Sequence, residues 1–198
     1  MTSHTAVKRL QRLLGASKAG HTGTLDPLAE GVLPILVGRA VKASEFLLCG
    51  EKKYIAHLRL GLRSDTEDVT GTLTPSALPL PTEEEVMAVL PRFRGEILQT
   101  PPMYSALKVG GKKLVDLARQ GVTIERQARE IEIFSLDAAP TDSVCDFTLD
   151  VCCSGGTYIR TLCADIGAKI GCGGVMSSLE RVEACGFSID QAHTTEAL

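Results

Sequence analysis

Residues 53–60 alternate strictly, with Tyr54, Ala56, Leu58 and Leu60 on one side and Lys53, Ile55, His57 and Arg59 on the other. That period of two predicts a half-buried strand. The same alternation runs through Arg129 to Leu136 and through Val144 to Cys153, the latter with Cys145, Phe147, Leu149, Val151 and Cys153 on one face. Helical spacing dominates elsewhere. Ser3 is predicted to cap a helix whose residues Ala6, Val7, Leu10, Leu13 and Leu14 share a face that packs on the sheet, with Gly15 as its stop. Val32 to Val37 reads as a buried strand in which Pro34 removes one ladder donor, and Ala40 to Leu48 as a helix before Gly50. Thr82 and Glu85 have the interval of a capping box ahead of Val86, Val89 and Leu90, which predicts a short helix ending near Pro91.

The second half continues the alternation of types. Residues 97–109 are broken by Pro101-Pro102 and stopped by Gly110-Gly111, which predicts two extended segments and a turn, followed by a basic helix from Lys112 to Gln120. Ser154-Gly155-Gly156 turns the chain into a helix with Ile159, Leu162, Cys163, Ile166 and Ile170 on one stripe. Val175 to Glu183 is a last strand carrying Leu179, and Asp190 to Leu198 begins a further segment. Strands interleaved with helices, without a regular βαβ rhythm, predict an α+β fold with a mixed, mainly antiparallel sheet flanked by helices. A chain of 198 residues fits one such domain and is short for two.

Composition narrows the class. Hydrophobic residues at 44% and charged residues at 23%, without low-complexity tracts, describe a globular chain rather than a disordered one. No apolar run reaches membrane-spanning length and no signal peptide opens the sequence, so a cytoplasmic protein is expected. The seven cysteines (Cys49, Cys145, Cys152, Cys153, Cys163, Cys172 and Cys185) are odd in number and contain no C-x-x-C pair, so reduced thiols and no metal are expected. A net charge of −3 argues weakly against a polyanionic partner. Its distribution argues the other way. Between Lys108 and Arg129 six cations face two acids, a local balance of +4, whereas residues 64–91 carry only acids.

The most irregular stretch is Lys18 to Gly38, a polar, glycine-punctuated loop ahead of an apolar run. Gly20 and Gly23 permit positive φ or close backbone approach, and Asp26, preceding Pro27, is pushed toward an extended conformation. Two uses of Asp26 remain open locally. It can cap a short turn with Pro27 at the first helical position and Gly31 as the end, or it can present a carboxylate. Arg160 is similarly ambiguous. A cation in a first helical turn opposes the helix dipole, which an anionic partner would offset, and a solvated arginine is the alternative. Tyr54 reads locally as a core or rim tyrosine, and His21 as a surface histidine.

A resemblance resolves these alternatives. Residues 20–34 (Gly20-His21-Thr22-Gly23-Thr24-Leu25-Asp26-Pro27-Leu28-Ala29-Glu30-Gly31-Val32-Leu33-Pro34), Tyr54, residues 101–108 and Gly156-Thr157-Tyr158-Ile159-Arg160-Thr161-Leu162 resemble, in order, the bacterial TruB family, which makes pseudouridine at position 55 of tRNA. The resemblance implies the pseudouridine synthase fold. It implies that Asp26 carries the chemistry, that Arg160 pairs with it, and that Tyr54 stacks on a flipped uracil beside Leu179. It also implies that His21 occupies space near the vacated stack, that Tyr158 shapes the same corner, and that Lys108 contacts substrate. Residues 98–130 would be the insertion that closes over RNA. The tRNA T-arm would be the partner of a monomeric enzyme that needs neither cofactor nor metal. The family's first strand and its C-terminal RNA-binding module are expected to be absent from this chain. Two rivals carry different chemistry: an RNA-binding or tRNA-folding module with little turnover, and a hydrolase using Asp26 and His21.

Overall fold

A computed structural model describes residues 1–198 apart from Cys49, Ala77, Leu78, Val144, Glu196 and Leu198. Helix α1 (Ser3–Leu13) leads into the short strands β1 (Ala19–His21), β2 (Glu30–Gly31) and β3 (Ile35–Val37), then helix α2 (Ser44–Leu48). Strand β4 (Lys52–Leu60) precedes a small hairpin of β5 (Leu62–Ser64) and β6 (Leu73–Pro75), helix α3 (Glu83–Val89) and strand β7 (Gly95–Gln99). A second hairpin, β8 (Lys108–Val109) and β9 (Lys112–Lys113), runs into helix α4 (Leu114–Ala118). The long strands β10 (Arg129–Pro140) and β11 (Asp146–Cys153), helix α5 (Ile159–Ile170), β12 (Gly174–Ala184) and β13 (Phe187–Ser188) complete the order.

The main sheet has seven strands in the order β13-β12-β4-β11-β10-β7, with β2 added beside β12. Every pairing in it is antiparallel except β2 with β12. The fold is therefore α+β with a mixed, mainly antiparallel sheet, as the sequence predicts. One face is dry. Ala56, Leu58, Leu149, Val151, Leu162, Ile166 and Val86 meet there, so α5 and α3 cover the inward side of β4 and β11. Each fully buried leucine or isoleucine contributes roughly 1.5–3 kcal/mol. The opposite face is wetted and carries ion pairs such as Arg59 with Asp146 and Lys53 with Glu183, the usual division in antiparallel sheets.

Glycine lets α5 sit close to β12. A Cβ at Gly167 would lie 2.1 Å from the Gly174 nitrogen, so the helix backbone rests on the strand backbone. At the other end of α5, Tyr158 precedes the first turn without capping it by side chain. The Gln99 amide takes that place, its Oε1 accepting from the Tyr158 N–H and its Nε2 donating to the Tyr158 carbonyl. This fixes where Arg160 begins.

Several elements differ from expectation. Thr2, not Ser3, caps α1, its hydroxyl accepting from the Thr5 N–H. The Ser3 hydroxyl is engaged elsewhere, with the backbone of Leu25. The helix packs beside β1 with Val7 as its buried hydrophobic, and Leu13 and Leu14 are exposed. Residues 32–37 are not one buried strand. Val32 is buried outside any strand, and only Ile35–Val37 pairs, half-buried, with β1. Residues 38–43 form a 3₁₀ turn before α2, so the helix expected from Ala40 is shorter. The basic helix is also shorter, because Lys112 and Lys113 pair in a hairpin and only Leu114–Ala118 is helical. The strand expected from Val144 is seen from Asp146, and Val144 itself lies outside the described residues, as does the end of the segment toward Leu198.

Candidate active site

The loop bearing Asp26 is closed at its base by the β1–β3 pair, whose register sets His21 opposite Ile35, and by Thr22 N–H donating to the Pro34 carbonyl at 3.2 Å. Within it the Ala29 N–H donates to the Asp26 carbonyl, so the turn at Pro27 is made by backbone and leaves the carboxylate uncommitted. The Asp26 side chain then meets Arg160 from α5. Nε donates to Oδ2 at 2.7 Å and Nη2 to Oδ1 at 3.1 Å, a bidentate pair.

Arg160 is held as firmly as it holds. The residue is 4% exposed, and its remaining donors go to the carbonyls of Thr66 and Tyr104, both at 2.9 Å. Buried Asp68 stands behind it, with Oδ2 at 3.8 Å from Nη1, and accepts from the Thr66 hydroxyl and from both the hydroxyl and N–H of Thr70. The Asp26 side chain keeps 29% exposure. One carboxylate is thus internal and the other opens onto space, an arrangement in which the planar guanidinium fork restricts the direction of the acid.

That space is a cavity of 390 Å³ lined by Asp26, Tyr54, Tyr158, Arg160, Leu179 and Arg181, with Lys52, Tyr104 and Lys113 also on its walls. Tyr54 and Leu179 are buried at 6% and 7% exposure and come from neighbouring strands β4 and β12. Burial pushes the Tyr54 hydroxyl up to about 12 against the opposing influence of Arg181. Tyr54 therefore stays neutral near pH 7. The Tyr158 hydroxyl is also raised by burial.

The structure brings Asp26, Arg160, Tyr54, Tyr158 and Leu179 to one cavity and leaves His21 and Lys108 off its lining. His21 is half-buried, with Nδ1 accepting from the Gly23 N–H at 3.3 Å. Its protonation is disfavoured by burial first, then by Arg181 and His4. Lys108 is exposed on β8. Lys52, Tyr104, Asp68 and Arg181 were not anticipated. Lys52 shares strand parity with Tyr54, and Arg181 with Leu179, so their inward direction was present in the alternation. Among the described residues no group of three or more His, Cys, Asp or Glu side chains is arranged to hold a metal. The six described cysteines are free, and Cys49 lies outside the described residues. Among the described residues no helix is long and apolar enough to cross a membrane.

Comparison with known proteins places this geometry in context. Residues 11–159 match the profile of the TruB family pseudouridylate synthase (N terminal domain), and residues 160–198 that of the tRNA pseudouridylate synthase B C-terminal domain. The chain is 50% identical over 198 residues to tRNA pseudouridine synthase B of Alkaliphilus oremlandii, covering 100% of this chain and 66% of that protein. It is 48% identical over 200 residues to the protein of the same name from Ralstonia nicotianae, covering 100% and 64%. The chain thus spans a little under two thirds of these relatives. Among solved structures, a Cbf5-Nop10-Gar1 complex has a chain that superposes with a TM-score of 0.70 at 30% identity, covering 93% of this chain and 45% of that one. An H/ACA RNP bound to a substrate RNA containing 2′-deoxyuridine gives 0.67 at 27% identity, covering 95% and 45%.

Proposed function

The chain belongs to the TruB family of pseudouridylate synthases, and from that premise we propose that it isomerises uridine to pseudouridine in tRNA, at position 55 of the T-arm. The observation that carries the proposal is the bidentate Asp26–Arg160 pair opening onto a cavity walled by Tyr54 and Leu179. The relatives' names point to tRNA as the substrate, and the H/ACA neighbour was solved bound to a substrate RNA containing 2′-deoxyuridine.

A base stacked inside folded RNA hides its glycosidic bond, so the target must be everted into a pocket before reaction. Tyr54, neutral and rigid, offers its ring face to the uracil, and Leu179 offers an apolar edge. Asp26 then acts as the ionised carboxylate, either adding to C1′ as uracil departs or removing the C2′ proton. In both routes the N1–C1′ bond breaks, the uracil turns within the cavity and a C5–C1′ bond forms, as the carboxylate leaves C1′ in the first route or returns the proton to C2′ in the second, and the C5 proton is lost as N1 gains one. Substrate and product are isomers, so no electron or water is consumed. Arg160 keeps the carboxylate aimed throughout. Tyr158 bounds the space in which the base rotates, and Lys108 with the rest of residues 98–130 contacts the RNA backbone outside the cavity. A single domain working as a monomer in the cytoplasm completes the proposal.

Mapping pseudouridine in an unmodified tRNA transcript incubated with the purified chain tests this. One modified position in the T-loop is expected. Asp26→Asn is expected to abolish the product while leaving the Kd for a T-arm hairpin within about threefold, since only the reacting charge is removed. Hairpin binding by the unaltered chain without any product would instead make it an RNA-binding module.

A further inference from the structure

Arg181 is the largest side chain that is fully buried, at 1% exposure, and none of the ion pairs among the described residues involves it. Burying an arginine opposite no carboxylate is costly, and its donors must be met by other acceptors. Two of them are met by one segment. Nε donates to the Val32 carbonyl at 2.7 Å and Nη2 to the Gly23 carbonyl at 3.2 Å, while the Arg181 carbonyl accepts from the Val32 N–H at 2.8 Å. Gly23 and Val32 are the two shoulders of the loop whose middle carries Asp26. Between them Gly31, at φ +101°, lies so close that a Cβ there would stand 2.3 Å from the Arg181 carbonyl oxygen. On its other side Arg181 is in register with Tyr54 across the β12–β4 pair.

We infer that Arg181 is a positioning residue, a clamp that draws both shoulders of the 23–32 loop onto β12 and so fixes the distance between the Asp26 carboxylate and the Tyr54 ring. The inference rests on the reading of Asp26 and Tyr54 as the reacting and stacking groups. A guanidinium fork is suited to the role because its donors diverge in a fixed plane and reach two carbonyls nine residues apart at once, which a single ammonium cannot do. Arg160 secures the carboxylate from α5, and Arg181 secures the backbone that delivers it from β12.

The test compares Arg181→Lys with the unaltered chain by single-turnover and steady-state kinetics on tRNA and by amide hydrogen exchange. The clamp predicts kcat lower by roughly 10- to 100-fold with KM within about twofold, because a misplacement of about 1 Å suffices for such a loss. It also predicts faster exchange confined to residues 23–32. Unchanged kcat overturns it, and so does faster exchange throughout β4, β11 and β12, which marks a general stabilising role. Where Arg181→Lys does not fold, Gly31→Ala carries the test, since it lifts the loop from the strand without altering the guanidinium, and wild-type kcat there overturns the clamp. If the unaltered chain makes no pseudouridine yet Arg181→Lys still loosens residues 23–32 alone, the functional reading fails and the clamp stands.

Discussion

Arg160 gives up four hydrogen bonds to three separate segments, and its geometry rather than its charge is what the site uses. Lysine at this position keeps the charge but cannot bond both Asp26 oxygens while also reaching Thr66 and Tyr104. Arg160→Lys is expected to lower kcat by about 100-fold with little change in hairpin affinity, measured by single-turnover assays. Legibility at this scale was uneven. Local rules left Asp26 before Pro27 open between a turn cap and a presented carboxylate, and showed Tyr54 as an inward core or rim residue of its strand. The pairing of Asp26 with Arg160 spans 134 positions, and no local rule reaches so far, so it came from the family resemblance. Lys52 and Arg181 were hidden for a different reason. Polar residues at buried strand positions read as strand ends, and their satisfaction by backbone carbonyls is a tertiary fact.

At the scale of elements, the capping box at Thr82 and Glu85 and the stripe of α5 were legible because each is set by neighbours in sequence. The capping of α1 by Thr2 rather than the predicted Ser3 was not, since either hydroxyl can cap a helix and the Ser3 hydroxyl is taken by the Leu25 backbone. Strands β1 and β2 escaped because two- and three-residue strands have too few positions for alternation to register. The contact between α5 and β12 supplies a sharp prediction. Gly167→Ala drives a methyl into the Gly174 backbone, which has no side chain to move aside, and is expected to destabilise the chain by about 1–3 kcal/mol, read from the urea midpoint. The displaced helix would carry Arg160 with it, so activity should fall along with stability.

For the molecule as a whole, the α+β class and the single mainly antiparallel sheet followed from the order of periodicities, whereas the strand order did not, because nothing local states which strands are neighbours. Two partly buried groups, Glu67 and His21, contribute with opposite sign to the dependence of stability on pH. Burial raises Glu67 above its ordinary 4.5, with Thr161 and Arg160 opposing. Its contribution to stability is therefore complete below pH 4.5 and is lost as pH rises through the raised value. Burial lowers His21 below 6.5, so its contribution is complete above that pH and is lost as pH falls through the lowered value. Glu67→Gln is accordingly expected to gain stability relative to the parent as pH goes from 4 to 7, checked by urea midpoints across that range. The uneven charge makes a separate prediction. Lys108 and Lys112 are exposed on the β8–β9 hairpin, and changing both to Ala should weaken tRNA binding and reduce the salt slope by about 2.

The partners that Arg160 gathers lie 134, 94 and 56 positions away along the chain. Closing such long loops is entropically slow, and no contiguous fragment of the polypeptide can rehearse the arrangement in advance. Catalytic competence should consequently return last when the denatured chain is diluted into buffer, in step with completion of tertiary order rather than with the earlier gain of helix.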